Sequence, residues 1–305
     1  MFRNIQAHFL AALIVAAAGT AHAQTGPDAS IDARFRAQTV DPLGPSSAAE
    51  ALATGQGDLI LLRRARLVTL EANINATDTD NAFLTGPDEQ RDRFATVDLS
   101  ATGRLQLGER TAATLRLGAT AAQYQDFDEL NYAAATATLA VQSRRLGLDW
   151  TAYYQRAEIF DEDFGDRTLT QDRLRVEVGR SAAWRDLNVS ASAYAEHVIA
   201  NPEDYKNTAG GVELSASHPV PRLPQVTAFA QLGYERREYD SFFEGILGVA
   251  RHDDTTSAGV GAAWAVTRHL QLVAGYNYRK NRSTSDVNRY EAGSVFIGAS
   301  ARLRV

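Results

Sequence analysis

The feature that most constrains this chain is a two-residue alternation of apolar and polar side chains that recurs from about residue 66 onward. Leu115, Leu117 and Ala119, for example, alternate with arginine, glycine and threonine. Successive side chains of a β-strand point to opposite faces, so each run predicts a strand with one apolar face and one polar face. About twelve segments have this pattern, starting near Arg66, Arg93, Thr111, Asn131, Arg144, Thr170, Asp186, Asn207, Pro224, Thr255, His269 and Asn288.

The lengths of the segments and of their connections indicate which kind of sheet they form. Most segments run for about 10 to 14 residues, and a tilted strand needs roughly 9 to 11 to cross the hydrocarbon of a membrane. Short connections near residues 108–110, 143–144, 184–185, 219–223 and 267–268 alternate with long polar ones at 78–92, 125–129, 158–171, 199–206, 238–254 and 281–287. Outer-membrane barrels combine short periplasmic turns with longer extracellular loops. We therefore predict an all-β, antiparallel, up-and-down transmembrane β-barrel of about 12 strands over residues 57–305.

The polar face supports a barrel rather than a soluble sandwich. It carries the charged residues Glu71, Asp98, Arg104, Arg116, Asp149, Arg173, Arg175, Glu177, Glu196, Glu213, Glu235, Arg279 and Arg302. Burying so many charges in a dry core would be costly, whereas a wet lumen accepts them. Twelve strands predict a narrow pore or a partly filled lumen. The mixed charges would either set a transverse field in a pore or form cross-strand pairs that fill it.

The apolar face carries aromatic residues near the strand ends, as the two interfaces of a membrane select. The predicted aromatic girdles are Trp150, Tyr154, Trp184, Tyr234, Trp264, Tyr276 and Tyr278. One residue breaks the pattern, because the alternation places Arg180 on the lipid face. Either a β-bulge at Gly179 turns its side chain inward, or the side chain extends toward the nearby interface.

The N-terminal segment predicts export. Arg3 precedes an apolar stretch at residues 9–18, and the small-residue site Ala21-His22-Ala23 follows. These features are typical of a secretory signal peptide at residues 1–23. Residues 24–56 have no clear period and are interpreted as a periplasmic leader or linker, with a plug inside the barrel as the alternative. The expected location is the outer membrane of a Gram-negative bacterium.

Composition and motifs narrow the possible chemistry. A net charge of -6 argues against a nucleic-acid partner, which would require a basic face. The histidines and serines match no spacing of a nucleophilic site, so we expect no enzyme, no cofactor and no dedicated metal site. The acidic loop with Asp161, Asp163 and Asp166 is a candidate cation-binding loop that could bridge lipopolysaccharide, although a solvated loop explains the same charges.

The terminal hairpin carries a family resemblance. Residues 276–283 read YNYRKNRS, residues 288–290 read NRY, and residues 296–303 read FIGASARL. This hairpin resembles that of the outer-membrane β-barrel porin families and is similar to barrels associated with exopolysaccharide secretion. The resemblance covers roughly residues 57–305. It implies transport or export through the outer membrane and supplies no catalytic residues.

Two main functions remain open. The first is a porin-like conduit for polar solutes or exopolysaccharide. The second is a structural or assembly barrel that acts through its loops or its periplasmic leader, and an outer-membrane enzyme is a third. Expected partners are outer-membrane lipid, lipopolysaccharide, the barrel-assembly machinery and polysaccharide-export components. A tight turn at residues 184–185 would also place Arg173 directly opposite Glu196 on the lumen face.

Overall fold

Twelve antiparallel strands close into a barrel in the computed structural model, which describes residues 68–86, 89–161, 165–244 and 249–304. Each strand pairs with its neighbours in the chain, and β1 pairs with β12 to close the sheet. The strands are β1 (Val68–Thr79), β2 (Asp92–Gly108), β3 (Thr111–Tyr124), β4 (Tyr132–Arg145), β5 (Leu148–Phe160), β6 (Arg167–Trp184), β7 (Leu187–Asn201), β8 (Asn207–Val220), β9 (Leu223–Glu244), β10 (Val249–Ala265), β11 (Leu270–Ser283) and β12 (Tyr290–Arg304). The predicted fold class is confirmed.

The N-terminal predictions fall outside this barrel. The signal peptide at residues 1–23, the leader at 24–56 and the first residues assigned to the barrel, 57–67, lie outside the described residues. Within the described part of the chain, no helix has the length and apolar character needed to cross a membrane.

The connections define two ends of the barrel. Residues 109–110, 146–147, 185–186, 221–222 and 266–269 join strands at the short-turn end, and the connections at the opposite, long-loop end include residues 80–91, 125–131 and 202–206. At one tight turn Leu146 and Gly147 have φ angles of 55° and 74°. Positive φ at both central residues is the geometry that matches the twist of two antiparallel strands.

Two strands extend farther than the sequence predicted. The expected loop at residues 238–254 is mostly strand, because β9 continues to Glu244 and β10 begins at Val249. The alternation persists here, with Arg237 and Tyr239 buried and Glu238 exposed between them. Charged residues occur on both faces here, with Arg237 inward and Glu238 outward, which is why this part of the strands resembled a loop. The strands consequently range from 12 to 22 residues rather than 10 to 14.

The predicted register of the β6–β7 hairpin is wrong by two residues. Arg173 lies opposite Val198, and it is Arg175 that faces Glu196. The cause is a turn that starts one residue later than assumed, at Arg185, which adopts a φ of 54°. The polar face is unchanged, because a shift of two residues preserves the alternation.

The outward face is apolar around the barrel. Exposed side chains at outward positions include Leu117, Leu139, Leu174, Val176, Val212, Leu232, Val260 and Ile297. A hydrophobic surface of this extent is unfavourable in water and is what a lipid-facing wall requires. The β6–β7 ladder has no register shift, so Gly179 carries no bulge there and Arg180 lies exposed on this outward face.

Candidate functional site in the barrel lumen

The inward side chains of β6 become progressively more enclosed toward the long-loop end. Along β6, the exposed fraction of the side chain falls from 31% at Glu177 to 10% at Arg175 and 2% at Arg173. Glu213, on the short-turn side of the same wall, is 52% exposed. The β6 wall is therefore more exposed toward the short-turn end, whereas Phe229 and Ala263, on β9 and β10 in the short-turn half, are buried in a separate apolar cluster.

A network of ion pairs lies at this narrowing, with Arg237 at its centre. The Arg237 Nη2 donates to Glu235 Oε1 at 3.0 Å and to Glu196 Oε1 at 3.5 Å. Its Nη1 donates to the Asn207 side-chain oxygen at 2.7 Å. The second oxygen of Glu196 lies 3.6 Å from Arg173 Nε. Two arginines thus share the carboxylate of Glu196.

Arg175 extends the network toward the short-turn end. Its Nη2 lies 3.0 Å from Glu177 Oε2 and 3.2 Å from Glu213 Oε1. Its guanidinium also lies over the ring of Tyr194, 3.5 Å from the ring centroid. Such stacking combines ion pairing with a favourable contact between a cation and an aromatic face.

Tyr194 links the two parts of the network. Its hydroxyl donates to Glu235 Oε2 at 2.7 Å, while its ring supports Arg175. The ring fits because residue 211 on the neighbouring strand is glycine. A Cβ atom at Gly211 would lie 2.6 Å from the tyrosine ring, closer than carbon atoms approach without displacement.

A further buried pair fills the lumen beside β10. Arg251 Nη2 donates to Asp253 Oδ2 at 2.6 Å, and its guanidinium lies 4.2 Å from the centroid of the Tyr239 ring. A cavity of about 10 Å³ lies next to this pair and is also lined by Glu235 and Arg279. That volume holds roughly one water molecule. The lumen at this level is largely filled by side chains of the described residues.

An apolar layer lies above the charges at the long-loop end. We name it the apolar seal; it consists of Ala122, Tyr132, Ala134, Ile159, Leu169, Val198, Ala200, Tyr205 and Tyr239. Tyr205 belongs to a 3-10 helix in the β7–β8 connection, whereas the others lie on strands. Val198, directly opposite Arg173, is fully buried. The apolar seal and the ion-pair network together fill the outer part of the lumen.

The other predicted lumen charges lie outside this network. Glu71 and Arg302 form a separate pair, 3.6 Å apart, and Asp98 accepts a hydrogen bond from Thr120. The remaining members are Asp149, which pairs with Arg144 near a short turn, and Arg104 and Arg116 on β2 and β3. The structure therefore brings together Arg173, Arg175, Glu177, Glu196, Glu213, Glu235 and Arg279, but not the whole predicted set.

Several central residues were missed by the sequence analysis. Arg237, Tyr239, Arg251 and Asp253 lay within or next to the segment assigned to a loop. The signal that identifies Arg237 and Tyr239 is the continued alternation after Glu235, which places every second residue of this part of β9 in the lumen.

The predicted girdle residues lie on the outward face. Trp150, Trp184 and Trp264 are exposed toward the short-turn end, whereas Tyr154, Tyr234 and Tyr276 are exposed toward the long-loop end. The girdle tyrosines also contact a charged rim: the hydroxyls of Tyr154, Tyr234 and Tyr278 donate to Asp172, Asp254 and Glu291.

The candidate cation-binding loop is only partly described. The carboxylate of Asp161 accepts backbone hydrogen bonds from Gly165 at 2.8 Å and Asp166 at 3.2 Å, which organises the loop itself. Asp163 lies outside the described residues. Among the residues that are described, no three histidine or acidic side chains are grouped to hold a metal ion.

Comparisons with known proteins agree with the fold. The sequence model of the family described as "Putative beta-barrel porin 2" matches residues 211–303, which confirms the porin resemblance over the last strands. No curated protein matches the chain. An outer-membrane channel from Pseudomonas putida F1 is 13% identical, with a TM-score of 0.56, over 81% of this chain and 98% of that one.

Two further solved structures are similar at lower TM-scores. The translocator domain of the autotransporter NalP from Neisseria meningitidis is 16% identical, with a TM-score of 0.45, over 90% of this chain and 99% of that one. LpxR from Salmonella typhimurium is 11% identical, with a TM-score of 0.46, over 75% of this chain and 99% of that one. The fold is that of an outer-membrane β-barrel, and the matched family is porin-like.

Proposed function

We propose that this outer-membrane barrel is a porin-like conduit for small polar solutes, entered from the periplasmic, short-turn end and closed by the apolar seal in the conformation described. The main support is the gradient of exposure along β6, from Glu177 to Arg173. A charged wall that becomes narrower along its length is suited to selecting small polar solutes.

The geometry favours small solutes over exopolysaccharide. A polysaccharide chain needs a continuous passage, and the gap lined by Arg237 has a volume of only about 10 Å³. Export of a polymer would require both the ion pairs and the apolar seal to separate. A small solute requires a smaller rearrangement, centred on Tyr205, because its short helix lies in a connection rather than on a strand.

The filled outer lumen also supports a second function. A barrel that stays closed would act as a structural or assembly protein through its loops or periplasmic leader. An outward rim of charge is available for outer-membrane partners: Arg156 lies 3.1 Å from both Asp172 and Glu158. This rim lies above the girdle tyrosines, where headgroups of lipopolysaccharide would be expected.

Conductance in planar bilayers separates the two functions. Tyr205→Ala, which truncates the apolar seal, is expected to raise the single-channel conductance severalfold over the native barrel. Tyr276→Ala is the matched control, because it removes a tyrosine from the lipid face and leaves the lumen unchanged. If neither the native barrel nor Tyr205→Ala conducts, the conduit is rejected and the structural function is favoured.

A further inference from the structure

Arg173 is a deeply buried lumen charge with few acceptors around it. Its side chain is 2% exposed, and its hydrogen bond is a long one, from Nη2 to Gln171 Oε1 at 3.4 Å. Its ion-pair partner is Glu196 at 3.6 Å, which Arg237 shares at 3.5 Å. A guanidinium has five N–H donors, and buried donors are normally matched by acceptors.

Other unmatched donors surround Arg173. Its Nε and Nη1, together with Gln171 Nε2, Arg175 Nε and the hydroxyl of Tyr153, are buried without a hydrogen-bond partner. These atoms lie on the adjacent strands β5 and β6, where Tyr153 is paired with Arg175. The wall is thus rich in donors and poor in acceptors.

Unmatched acceptors on other strands of the described residues lie away from this wall. Glu71 Oε1 and Ser100 Oγ are buried without a hydrogen-bond partner, but they lie on β1 and β2. In the barrel order, β1 and β6 are separated by four intervening strands. The Tyr153 hydroxyl can accept one hydrogen bond from Arg173, and an acceptor for the remaining donors on β5 and β6 comes from another molecule or from a rearrangement of the lumen.

We propose that the β5–β6 wall is a binding site for the oxyanionic group, a carboxylate or phosphate, of a small solute. Arg173 is its principal ligand, and Tyr153 and Gln171 are supporting donors. Arginine forms its strongest hydrogen bonds with such groups. The site lies at the closed end of the gradient that starts at Glu177, so a solute from the short-turn end reaches it last.

The inference deepens the proposed function and rests on it, since it names the solute class of the same lumen. Its test measures binding rather than conductance. A barrel that binds the anion but does not conduct would contradict the conduit alone. A barrel that conducts without binding would contradict the anion site alone.

The experiment compares thermal unfolding of the purified barrel, read by its heat-modifiable gel mobility, in gluconate, in glucose 6-phosphate, and in glucose with chloride at equal ionic strength. At an anion concentration a hundredfold above Kd, the midpoint of the native barrel should rise by roughly 5 to 10 °C. Whichever anion produces the rise identifies the group as carboxylate or phosphate. No rise with either anion would overturn the proposal.

Three variants localise the effect. Arg173→Gln should abolish the rise, whereas Arg180→Gln, an outward arginine on the same strand, should retain it. Tyr153→Phe removes one unmatched hydroxyl from the site and should fold normally but respond less to the anion. If both Arg173→Gln and Tyr153→Phe keep the full rise, the anion binds elsewhere and the proposal is wrong. If Arg173→Gln does not fold, the response of Tyr153→Phe decides between these outcomes.

Discussion

The long-loop half and the short-turn half of the lumen are built from the same strands but differ in what surrounds their charges. Arg173 and Glu196, at 2% and 3% side-chain exposure, are enclosed between the apolar seal and other ion pairs. Arg302 and Glu71 have the same separation of 3.6 Å, yet Arg302 is 25% exposed. Pairs of equal separation therefore experience different solvation, and burial decides how much each contributes to stability.

The largest expected difference between the halves comes from removing one arginine from each. Arg237→Leu leaves Glu235 without its closest cation and removes one partner of Glu196, and should lower the free energy of unfolding by about 3–5 kcal/mol. Arg144→Leu removes the partner of Asp149 in a half-exposed pair and should cost about 0–1 kcal/mol. Urea titration in detergent micelles measures both. Equal losses of stability in the two variants would mean that charges in the long-loop half are as accessible to water as those in the short-turn half.

The next comparison places a new arginine on one strand at two depths. Gln155→Arg and Thr151→Arg lie on the same inward face of β5, but only Gln155 is buried. Gln155→Arg adds volume where the lumen is already filled and should destabilise the barrel by roughly 1–3 kcal/mol, whereas Thr151→Arg should be nearly neutral. The same urea titration applies, and a larger cost at Thr151 would reverse the assignment of the two halves.

A charge-swap cycle compares the two pairs of equal distance. For Arg173→Glu with Glu196→Arg, the coupling free energy should be about 0.5–3 kcal/mol. Rescue should be incomplete, because Arg237 would then face a second arginine. For Glu71→Arg with Arg302→Glu, the coupling should be about 0.2–1 kcal/mol. Similar coupling in both cycles would show that distance, rather than burial, controls these pairs.

The smallest perturbation tests access directly. The chain contains no cysteine, so a single introduced thiol reports its own surroundings. Ser192→Cys should react quickly with a water-soluble thiol reagent, and Val198→Cys, on the same face of β7, should react slowly. Both substitutions should leave the unfolding midpoint nearly unchanged. Fast reaction at residue 198 would contradict the apolar seal.

Much of the barrel was predictable because its strongest signal is local. The alternation depends only on neighbouring side chains, and it placed Arg173, Arg175 and Glu196 on the polar face and Leu174 and Val176 on the apolar face. The alternating turn lengths added the closed, antiparallel topology. Neither signal depends on strand register or on contacts between residues distant in the chain.

The arrangement of the lumen was less predictable because it depends on register and on tertiary contacts. The conformation of Arg185 shifted the β6–β7 hairpin by two residues, which changed the partner of Arg173 while preserving its face. The position of Tyr205 depends on how a short helix in a connection packs against strands. The role of Arg237 was hidden because polar residues on both faces made its strand resemble a loop.

The close fit between Gly211 and the ring of Tyr194 restricts how these two lumen positions can change during evolution. A larger side chain at position 211 would collide with the ring while the ring remains. A lineage that placed a larger residue at position 211 would therefore have to shorten residue 194 first. The reverse order passes through an intermediate in which the support of Arg175 is displaced. The absence of a Cβ atom at Gly211 therefore constrains the order in which residues 194 and 211 can be substituted.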